Sequence, residues 1–302
     1  MPLVSIGMPV FNCEATLKLA IDSIIKQTFT DFELIISDNC STDSTSLICQ
    51  EYAKNDPRIV YIRQPINIGG WQNFKFVLDQ GRSHYFWWAA GDDVHSSDFL
   101  EVNIQYLETH ADYVASTSPN CFQGQNPVGP NLVTFEIVGA VEDRFIQFFD
   151  NCWQSHGIFY SVFRKKALLD CAEIRKCLDK SCGIAMDWEV ILSLANQGNI
   201  HRNANGLTIF GVNGMSSIGN PWAAARSFFI EWIIPFYTFN SYVWKLSKDL
   251  PLVSRIKIMK RLLKFNLGVS YYPLYAVIHP ILYPIYYRFI RGYLRHGKSN
   301  KL

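Results

Sequence analysis

Acidic residues are absent from the last part of this chain: none follows Asp249, although ten basic residues do. The residues up to Asp249 hold 18 bases and 26 acids, so the small net charge of +2 hides two parts of opposite sign. Charged residues make up only 18% of the 302 residues, which is fewer than in an average soluble protein. We therefore expect the two parts to face different surroundings.

Cysteine-based zinc-binding and secretion signals are also missing. The eight cysteines include no C-x-x-C pair, and the spacing of Cys171, Cys177 and Cys182 does not suit a zinc ribbon. We interpret the cysteines as reduced, mostly buried thiols. The stretch "MPLVSIGMPVF" has neither a basic start nor a long apolar core, which predicts no signal peptide and a cytoplasmic protein.

Glycine is missing from the first loop that joins a predicted strand to a predicted helix, "PVFNCEA". This loop therefore matches neither the G-x-G-x-x-G loop of dinucleotide-binding enzymes nor the G-K-[ST] phosphate loop. Both Rossmann oxidoreductases and P-loop NTPases are disfavoured by this absence.

Apolar runs and helical repeats alternate along the first hundred residues. Short apolar runs predict strands, and apolar residues at helical spacing between them predict helices. The predicted strands are Val4–Val10, Phe32–Ser37, Arg58–Arg63 and Tyr85–Ala90, and the predicted helices are Glu14–Gln27, Ser41–Lys54 and Asn73–Gln80. This order predicts an α/β fold with a mostly parallel central sheet and helices on both faces.

Polar side chains follow each predicted strand, namely Asn12, Asp38, Asn67 and the pair Asp92 and Asp93. Ligands of such sheets bind at the carboxyl ends of the strands. An acidic edge without glycine suits a ligand whose phosphates are neutralised by Mg²⁺ or Mn²⁺, because hard cations take oxygen ligands. The alternative is that one aspartate of the pair is a turn residue and the other is merely solvated.

Three of these segments resemble the nucleotide-side motifs of the inverting family 2 glycosyltransferases, which have the GT-A fold. The segments are "VSIGMPVFN", "ELIISDNCSTDST" and "WWAAGDDV", and the likeness covers Leu3–Leu107, with a weaker match to about Ser217. The sequence departs from the family pattern at two positions, where Asn39 and Ala90 replace aspartates. The resemblance implies a GT-A fold, a Rossmann-like sheet that binds a nucleotide-sugar.

The resemblance also implies roles for individual side chains. It places Asp38 on the nucleobase, Asp92 near the ribose or diphosphate, and Asp93 on the divalent cation. A carboxylate suits the N–H donors of a uracil-type ring, although Asp38 could instead only cap its loop. The residues that the resemblance places on the nucleotide-sugar are Pro9, Phe11, Glu14, Asp38, Asn67, Asn73 and Asp92.

Transfer to a hydroxyl with inversion needs a base opposite the leaving diphosphate. The candidate is Asp187 in "GIAMDWEVILSLANQGNI", which begins a predicted helix that stops before Gly198. The resemblance supports this assignment, since the family carries its base in a matching motif. Asp is also a favoured helix N-cap, so a purely structural role is the alternative. Glu189 is the second candidate for the base.

The C-terminal part predicts a second unit. We divide the chain into a glycosyltransferase domain, 1–225, and a helical, basic and aromatic extension, 226–302. On "RIKIMKRLLKF" a helical wheel puts Ile256, Met259, Leu262 and Leu263 on one face and bases on the other, which predicts attachment to the membrane surface. A membrane-spanning segment within Phe265–Tyr287, or helices packed on the catalytic domain, are the alternatives.

Together these features predict a metal-dependent glycosyltransferase of bacterial surface-polysaccharide synthesis. We expect a nucleoside diphosphate-sugar donor, a polyprenyl-diphosphate-linked acceptor, and a location at the inner face of the cell membrane, with no nucleic acid partner. A non-catalytic sugar-nucleotide-binding protein, allowed by Asn39 and Ala90, is one alternative. A nucleotidyltransferase is another, but it would require the glycine-rich loop that "MPVFNCEA" lacks.

Overall fold

The structure is a computed structural model that describes residues 1–128, 132–154, 156–170, 186–211 and 237–267. The predicted alternation in the first half is confirmed. The elements are β1 (Val4–Val10), α1 (Leu17–Ile25), β2 (Phe32–Asp38), α2 (Thr45–Asn55), β3 (Ile59–Arg63), α3 (Gly70–Gln80) and β4 (Tyr85–Trp88).

Helices α1 and α2 each begin three or four residues later than their sequence patterns predict, at Leu17 and Thr45. The reason is a set of hydrogen bonds between the two preceding loops. The backbone N–H of Cys13 donates to Thr45 Oγ1 at 2.9 Å, and that of Thr42 donates to Asn12 Oδ1 at 2.8 Å. Asn12, Cys13 and Thr42 are held in the loops by these bonds, and Thr45 is the first residue of α2, so the helices start no earlier than Leu17 and Thr45.

The second half adds shorter elements. They are β5 (Val94–His95), α4 (Phe99–Thr109), β6 (Tyr113–Thr117), β7 (Asn120–Phe122), α5 (Val141–Asn151), a 3₁₀ turn (Cys152–Gln154), α6 (His156–Phe159), β8 (Val162–Arg164), α7 (Lys165–Asp170), α8 (Met186–Gln197), β9 (Asn199–Arg202), β10 (Thr208–Phe210), α9 (Tyr237–Ser247) and α10 (252–267). The predicted stop of α8 before Gly198 is confirmed.

The central sheet has seven strands in the order β3-β2-β1-β4-β8-β6-β9. The first four pair in parallel, β8 runs antiparallel to both of its neighbours, and β6 and β9 are parallel. A small second sheet has the order β5-β10-β7. The predicted mostly parallel sheet is therefore confirmed, and its one antiparallel strand is an addition that the sequence pattern did not indicate.

Strand β4 is buried on both faces, as its uninterrupted aromatic sequence predicts. Phe86 and Trp88 lie in the apolar core on one side of the sheet, with residues of α3, α5 and α8. Tyr85 and Trp87 lie in the core on the other side, with residues of α1, α2 and α4. The edge at which β4 ends is therefore held by packing on two sides.

The described part of the C-terminal extension packs onto this domain through aromatic side chains. Phe239 of α9 and Phe265 of α10 both contact Trp188 of α8, with ring centroids 6.0 and 5.1 Å apart. All three side chains are buried in the same core. The predicted boundary at 225/226 lies outside the described residues. No helix within the described ranges is both long and apolar enough to cross a membrane.

Candidate active site

The loops after β1 and β2 form one hydrogen-bonded unit at the carboxyl edge of the sheet. The N–H of Asn12 donates to Ser41 Oγ at 3.0 Å, and the carboxylate of Glu14 accepts from the N–H of Ser44 at 2.8 Å. Phe11 lies beside them with 47% of its surface exposed, and Pro9 is half-buried near the end of β1. The predicted nucleotide residues of the first loop therefore lie at the expected edge, where Phe11 presents an apolar surface.

Asp38 is fully buried at the end of β2, and both oxygens of its carboxylate have partners. One accepts from the N–H of Ser41 at 2.8 Å, and the other from Tyr61 Oη at 3.0 Å and Arg63 Nη1 at 2.9 Å. The loop-capping alternative for Asp38 is therefore visible in the structure, whereas its contact with a nucleobase stays a prediction. Arg63 was missed in the sequence because it lies on a different strand, 25 residues away.

Asn39 ties the loop after β2 to the loop after β3. Its amide nitrogen donates to Asn67 Oδ1 at 3.0 Å, and its amide oxygen accepts from the N–H of Ile68 at 2.8 Å. A carboxylate could not make the first of these bonds because it has no donor. The replacement of the family's aspartate by Asn39 therefore has a structural reason.

Asn73 is buried on α3 and lies against the neighbouring strand. Its amide accepts from Ser37 Oγ at 2.6 Å and donates to the Ser37 carbonyl at 2.8 Å. Both ends of the amide are thus used to hold α3 on β2. A nucleotide contact for Asn73 stays a prediction that this geometry does not support, while Asn67 is exposed at the sheet edge.

The pair Asp92 and Asp93 lies after β4, beside the end of β10. Asp93 is 4% exposed, and its Oδ1 accepts from the N–H of Gly211 at 2.9 Å. Gly211 lies so close to the pair that a Cβ there would be 2.5 Å from Asp92 Oδ2. The small second sheet therefore brings a backbone donor and a close wall to the two carboxylates.

Burial raises the pKa of both carboxyls. The pKa of Asp93 is raised to about 7 by burial, lowered somewhat by the N–H of Gly211, and raised further by the charge of Asp92. The pKa of half-buried Asp92 is also raised, again chiefly by burial. Among the described residues neither has a Lys or Arg partner, so a hard cation fits here as their counter-charge.

The described residues contain no group of three or more side chains that could hold a metal ion. The protein would therefore supply Asp93 and Asp92, and oxygens of a bound diphosphate would complete the shell. This donor set suits Mg²⁺ or Mn²⁺, which bind phosphate oxygens together with few carboxylates.

Asp187 is the second residue of α8 and is half-buried. Burial raises its pKa to about 7, and the N–H groups of Trp188 and of Asp187 itself lower it somewhat. A carboxyl with a pKa near neutrality is well suited to accept a proton at physiological pH. Glu189 lies about 200° further around the helix, so it points away from the side on which Asp187 lies.

Tyr160 connects these carboxylates and was missed in the sequence. Its pKa is raised well above the ordinary value by burial and by the charges of Asp93, Asp92 and Asp187. Its ring packs against Phe210, with centroids 5.8 Å apart, immediately before the Gly211 that binds Asp93. The charges of the predicted cation residues and of the predicted base thus all act on one phenol, which no local sequence pattern could indicate.

A mostly parallel sheet with an acidic carboxyl edge, flanked by a second small sheet, is the architecture of GT-A enzymes. The comparison with solved structures agrees. The Staphylococcus aureus TarS fragment 1–349 in complex with UDP-GlcNAc superposes with a TM-score of 0.60 at 17% identity, over 88% of this chain and 72% of that one. At this level of identity the likeness establishes the fold alone.

The family model for Glycosyl transferase family 2 matches residues 5–170, and the chain belongs to this family. The glycosyltransferase named EpsE of Bacillus subtilis (strain 168) is 34% identical over 146 residues, 48% of each chain. The GalNAc(5)-diNAcBac-PP-undecaprenol beta-1,3-glucosyltransferase of Campylobacter jejuni is 32% identical over 170 residues, 56% of this chain and 53% of that protein. The chain thus spans about half the length of these relatives. Asp187 lies beyond residues 5–170, which the family model matches.

Proposed function

We propose that this protein transfers one sugar from a nucleoside diphosphate-sugar to a hydroxyl of a saccharide acceptor, with inversion at the transferred carbon. The observation that carries the proposal is the carboxylate pair Asp92 and Asp93 after β4, where buried Asp93 accepts from the N–H of Gly211, in a chain of Glycosyl transferase family 2. The charges of this pair and of Asp187 all act on Tyr160. A cation site and a base are both needed in one place for a displacement of this kind. Family membership makes a nucleotidyltransferase the weaker alternative.

In the proposed step the Asp187 carboxylate accepts the proton of the acceptor hydroxyl. The hydroxyl oxygen forms a new bond to the anomeric carbon, and the bond from that carbon to the diphosphate breaks on the opposite side. The electron pair leaves with the nucleoside diphosphate. A divalent cation held by Asp93, with Asp92 beside it, would offset the charge that gathers on this leaving group.

A uridine nucleotide is the first donor to test. The TarS structures hold UDP in one case and UDP-GlcNAc in another, and the nucleotide edge of this chain has the same fold. Phe11 offers an apolar surface at that edge, and the Arg63 guanidinium at the end of β3, bound to buried Asp38 but itself partly exposed, offers N–H donors. These groups suit a planar, polar base.

We further propose that the acceptor is carried on a polyprenyl diphosphate and is used at the inner face of the cell membrane. The Campylobacter relative is named for an undecaprenyl-diphosphate-linked acceptor. The ten bases after Asp249, with no acid among them, suit an anionic membrane surface. The activity belongs, on this proposal, to bacterial surface-polysaccharide synthesis.

The test is a transfer assay with the purified chain, a panel of UDP-, GDP- and dTDP-sugars, and lipid-linked saccharides as acceptors. We expect product from one donor class, dependence on Mn²⁺ or Mg²⁺, and a product anomer opposite to that of the donor. Retention of the donor's configuration would contradict the assignment of Asp187 as a base. Nucleotide-sugar binding without transfer to any acceptor would favour the non-catalytic alternative.

A further inference from the structure

Helix α10 has two apolar faces, only one of which packs on the protein. Ile258, Leu262 and Phe265 are buried in the core. On the opposite side a second stripe is exposed, in agreement with the helical repeat of 3.6 residues. Its members and their exposed fractions are Leu252 69%, Val253 65%, Ile256 47%, Leu263 61% and Leu267 64%.

This arrangement corrects the face predicted from the helical wheel. Ile256 and Leu263 do point outward, but Leu262 points into the core and Met259 is half-buried. The outward stripe instead continues to Leu252 and Leu267 at the two ends of the helix. A wheel gives the period of apolar residues but cannot tell which of two apolar faces is covered.

Trp244 of α9 extends the exposed apolar surface. Its side chain is 54% exposed, and the Arg255 guanidinium lies 4.5 Å from the centre of its ring. We call Trp244 and the five exposed residues of α10 the α9–α10 face. Single exposed apolar side chains are ordinary on proteins, whereas a stripe along four turns is not.

Basic side chains border this face. Helix α10 contains Arg255, Lys257, Lys260, Arg261 and Lys264 and no acidic residue. Lys257 is bound to Glu142 and Arg261 to Asp150. Lys260 and Lys264 are exposed and form no ion pair with any described residue. Their charges are therefore available to an external partner.

We propose that the α9–α10 face docks on an anionic lipid surface. Exposed leucines, an isoleucine and a valine, with a tryptophan and unpaired lysines beside them, are the combination that binds the boundary between lipid headgroups and acyl chains. A second copy of the chain is a poorer occupant, because a symmetric contact would bring the lysines of both copies together. The partner is thus a membrane rather than a protein of the same kind.

Docking in this way brings the predicted base close to the membrane, an inference that rests on the proposed function. Phe265, on the inward side of α10, packs edge-on against Trp188, the residue that follows Asp187. One helix, about 10 Å in diameter, therefore separates the docked face from the wall of the active site. A saccharide linked to a lipid in the docked surface would therefore lie on the same side of the protein as this wall.

The experiment is co-sedimentation of the full chain with vesicles of phosphatidylglycerol and phosphatidylcholine, compared with phosphatidylcholine alone. The test variant is Ile256→Asp with Leu263→Asp, and the matched control is Leu19→Asp with Leu47→Asp, which changes side chains 63% and 68% exposed on α1 and α2. We expect the test variant to lose about tenfold or more in vesicle affinity and the control to bind as the native chain does.

A second variant isolates the charges. Lys260→Gln with Lys264→Gln should weaken binding to anionic vesicles by roughly 30-fold and leave binding to phosphatidylcholine unchanged. Equal binding to both kinds of vesicle, or equal losses in the test and control variants, would overturn the proposal. So would a native dimer that becomes monomeric on Ile256→Asp with Leu263→Asp and binds no vesicles. Because co-sedimentation needs no sugar transfer, failure of the proposed activity would leave this result standing.

Discussion

Two sets of carboxylates lie at the same edge of the sheet, and the protein surrounds them differently. Asp38 is completely buried, yet its oxygens are bound by a backbone N–H, a phenol and the Arg63 guanidinium. Among the described residues, Asp93 accepts from one backbone N–H, and Asp187 accepts from the backbone N–H groups of Trp188 and of Asp187 itself. The described residues offer no base to either of them, and burial raises the pKa of both to about 7.

The difference separates carboxylates that shape the site from carboxylates that act in it. A buried carboxylate whose oxygens are all hydrogen-bonded to protein donors holds loops in place. A buried carboxylate without a positive partner carries an electrostatic cost that a cation or a proton can relieve. The bonds of Asp38 thus hold the loops of the nucleotide edge together, whereas we propose that Asp92, Asp93 and Asp187 bind the cation and take part in the reaction.

The largest expected effect comes from Asp187→Asn. The amide keeps the shape of the side chain but cannot accept the proton of the acceptor hydroxyl, so turnover should fall on the order of 10²–10⁴. Nucleotide binding, measured by calorimetry, should be preserved. Glu189→Gln on the same helix is the matched control and should remain close to native. A native rate for Asp187→Asn would leave this aspartate with only a structural role.

The next largest effect concerns the cation. Saturating nucleoside diphosphate with Mn²⁺ should raise the free energy of unfolding of the native chain by roughly 2–4 kcal/mol. Asp93→Asn should remove the part of this gain that depends on Mn²⁺, as measured by chemical denaturation with and without EDTA. Asp170→Asn, an exposed aspartate at the end of α7, is the control. An undiminished Mn²⁺ effect in Asp93→Asn would exclude Asp93 as a ligand.

The same residue predicts a pH dependence in the absence of nucleotide. The pKa of Asp93 is about 7 in the folded chain, against an ordinary value near 4 when unfolded. Between these values the folded state keeps a proton that the unfolded state has lost. The contribution of Asp93 to the free energy of unfolding is therefore complete below pH 4 and is lost as the pH rises towards 7. The free energy of unfolding of Asp93→Asn, relative to native, should therefore rise over this window. A flat difference between the two chains would contradict the shift.

The hydrogen-bonded loops around Asp38 can be disrupted by restoring the family's aspartate at Asn39. Asn39→Asp removes the donor to Asn67 and sets two acceptors against each other, beside the charge of Asp38. We expect a loss of about 1–3 kcal/mol in unfolding free energy. Asn67→Ala completes a double-mutant cycle, and the two losses should not add, because both remove the same bond. Additive losses would show that Asn39 acts elsewhere.

Much of this architecture can be predicted from the sequence because its signals are local. The four parallel strands follow from short apolar runs, and the acidic pair follows from its place after the aromatic strand β4. Three features could not be predicted: the Arg63 partner of Asp38, the position of Tyr160, and the inward turn of Leu262. Each depends on which distant segment packs against a residue, and periodicity along one segment carries no such information.

The smallest effect that we predict is that of replacing Tyr160, on which the charges of Asp92, Asp93 and Asp187 act. Tyr160→Phe keeps the ring that packs on Phe159 and Phe210 but removes the hydroxyl. With three carboxylates around it the phenol stays protonated at neutral pH, so it can donate a hydrogen bond to a sugar or acceptor oxygen. Loss of one such bond should lower kcat/KM by about tenfold. Stability and nucleotide affinity should not change, since in the described residues the hydroxyl bonds to no protein group. Replacement of the neighbouring Phe159 by Leu should lower the free energy of unfolding and leave kcat/KM unchanged, because the Phe159 side chain is buried against Trp88. If Tyr160→Phe lowered the free energy of unfolding instead of turnover, the phenol would have a structural role, as the hydrogen bonds of Asp38 do.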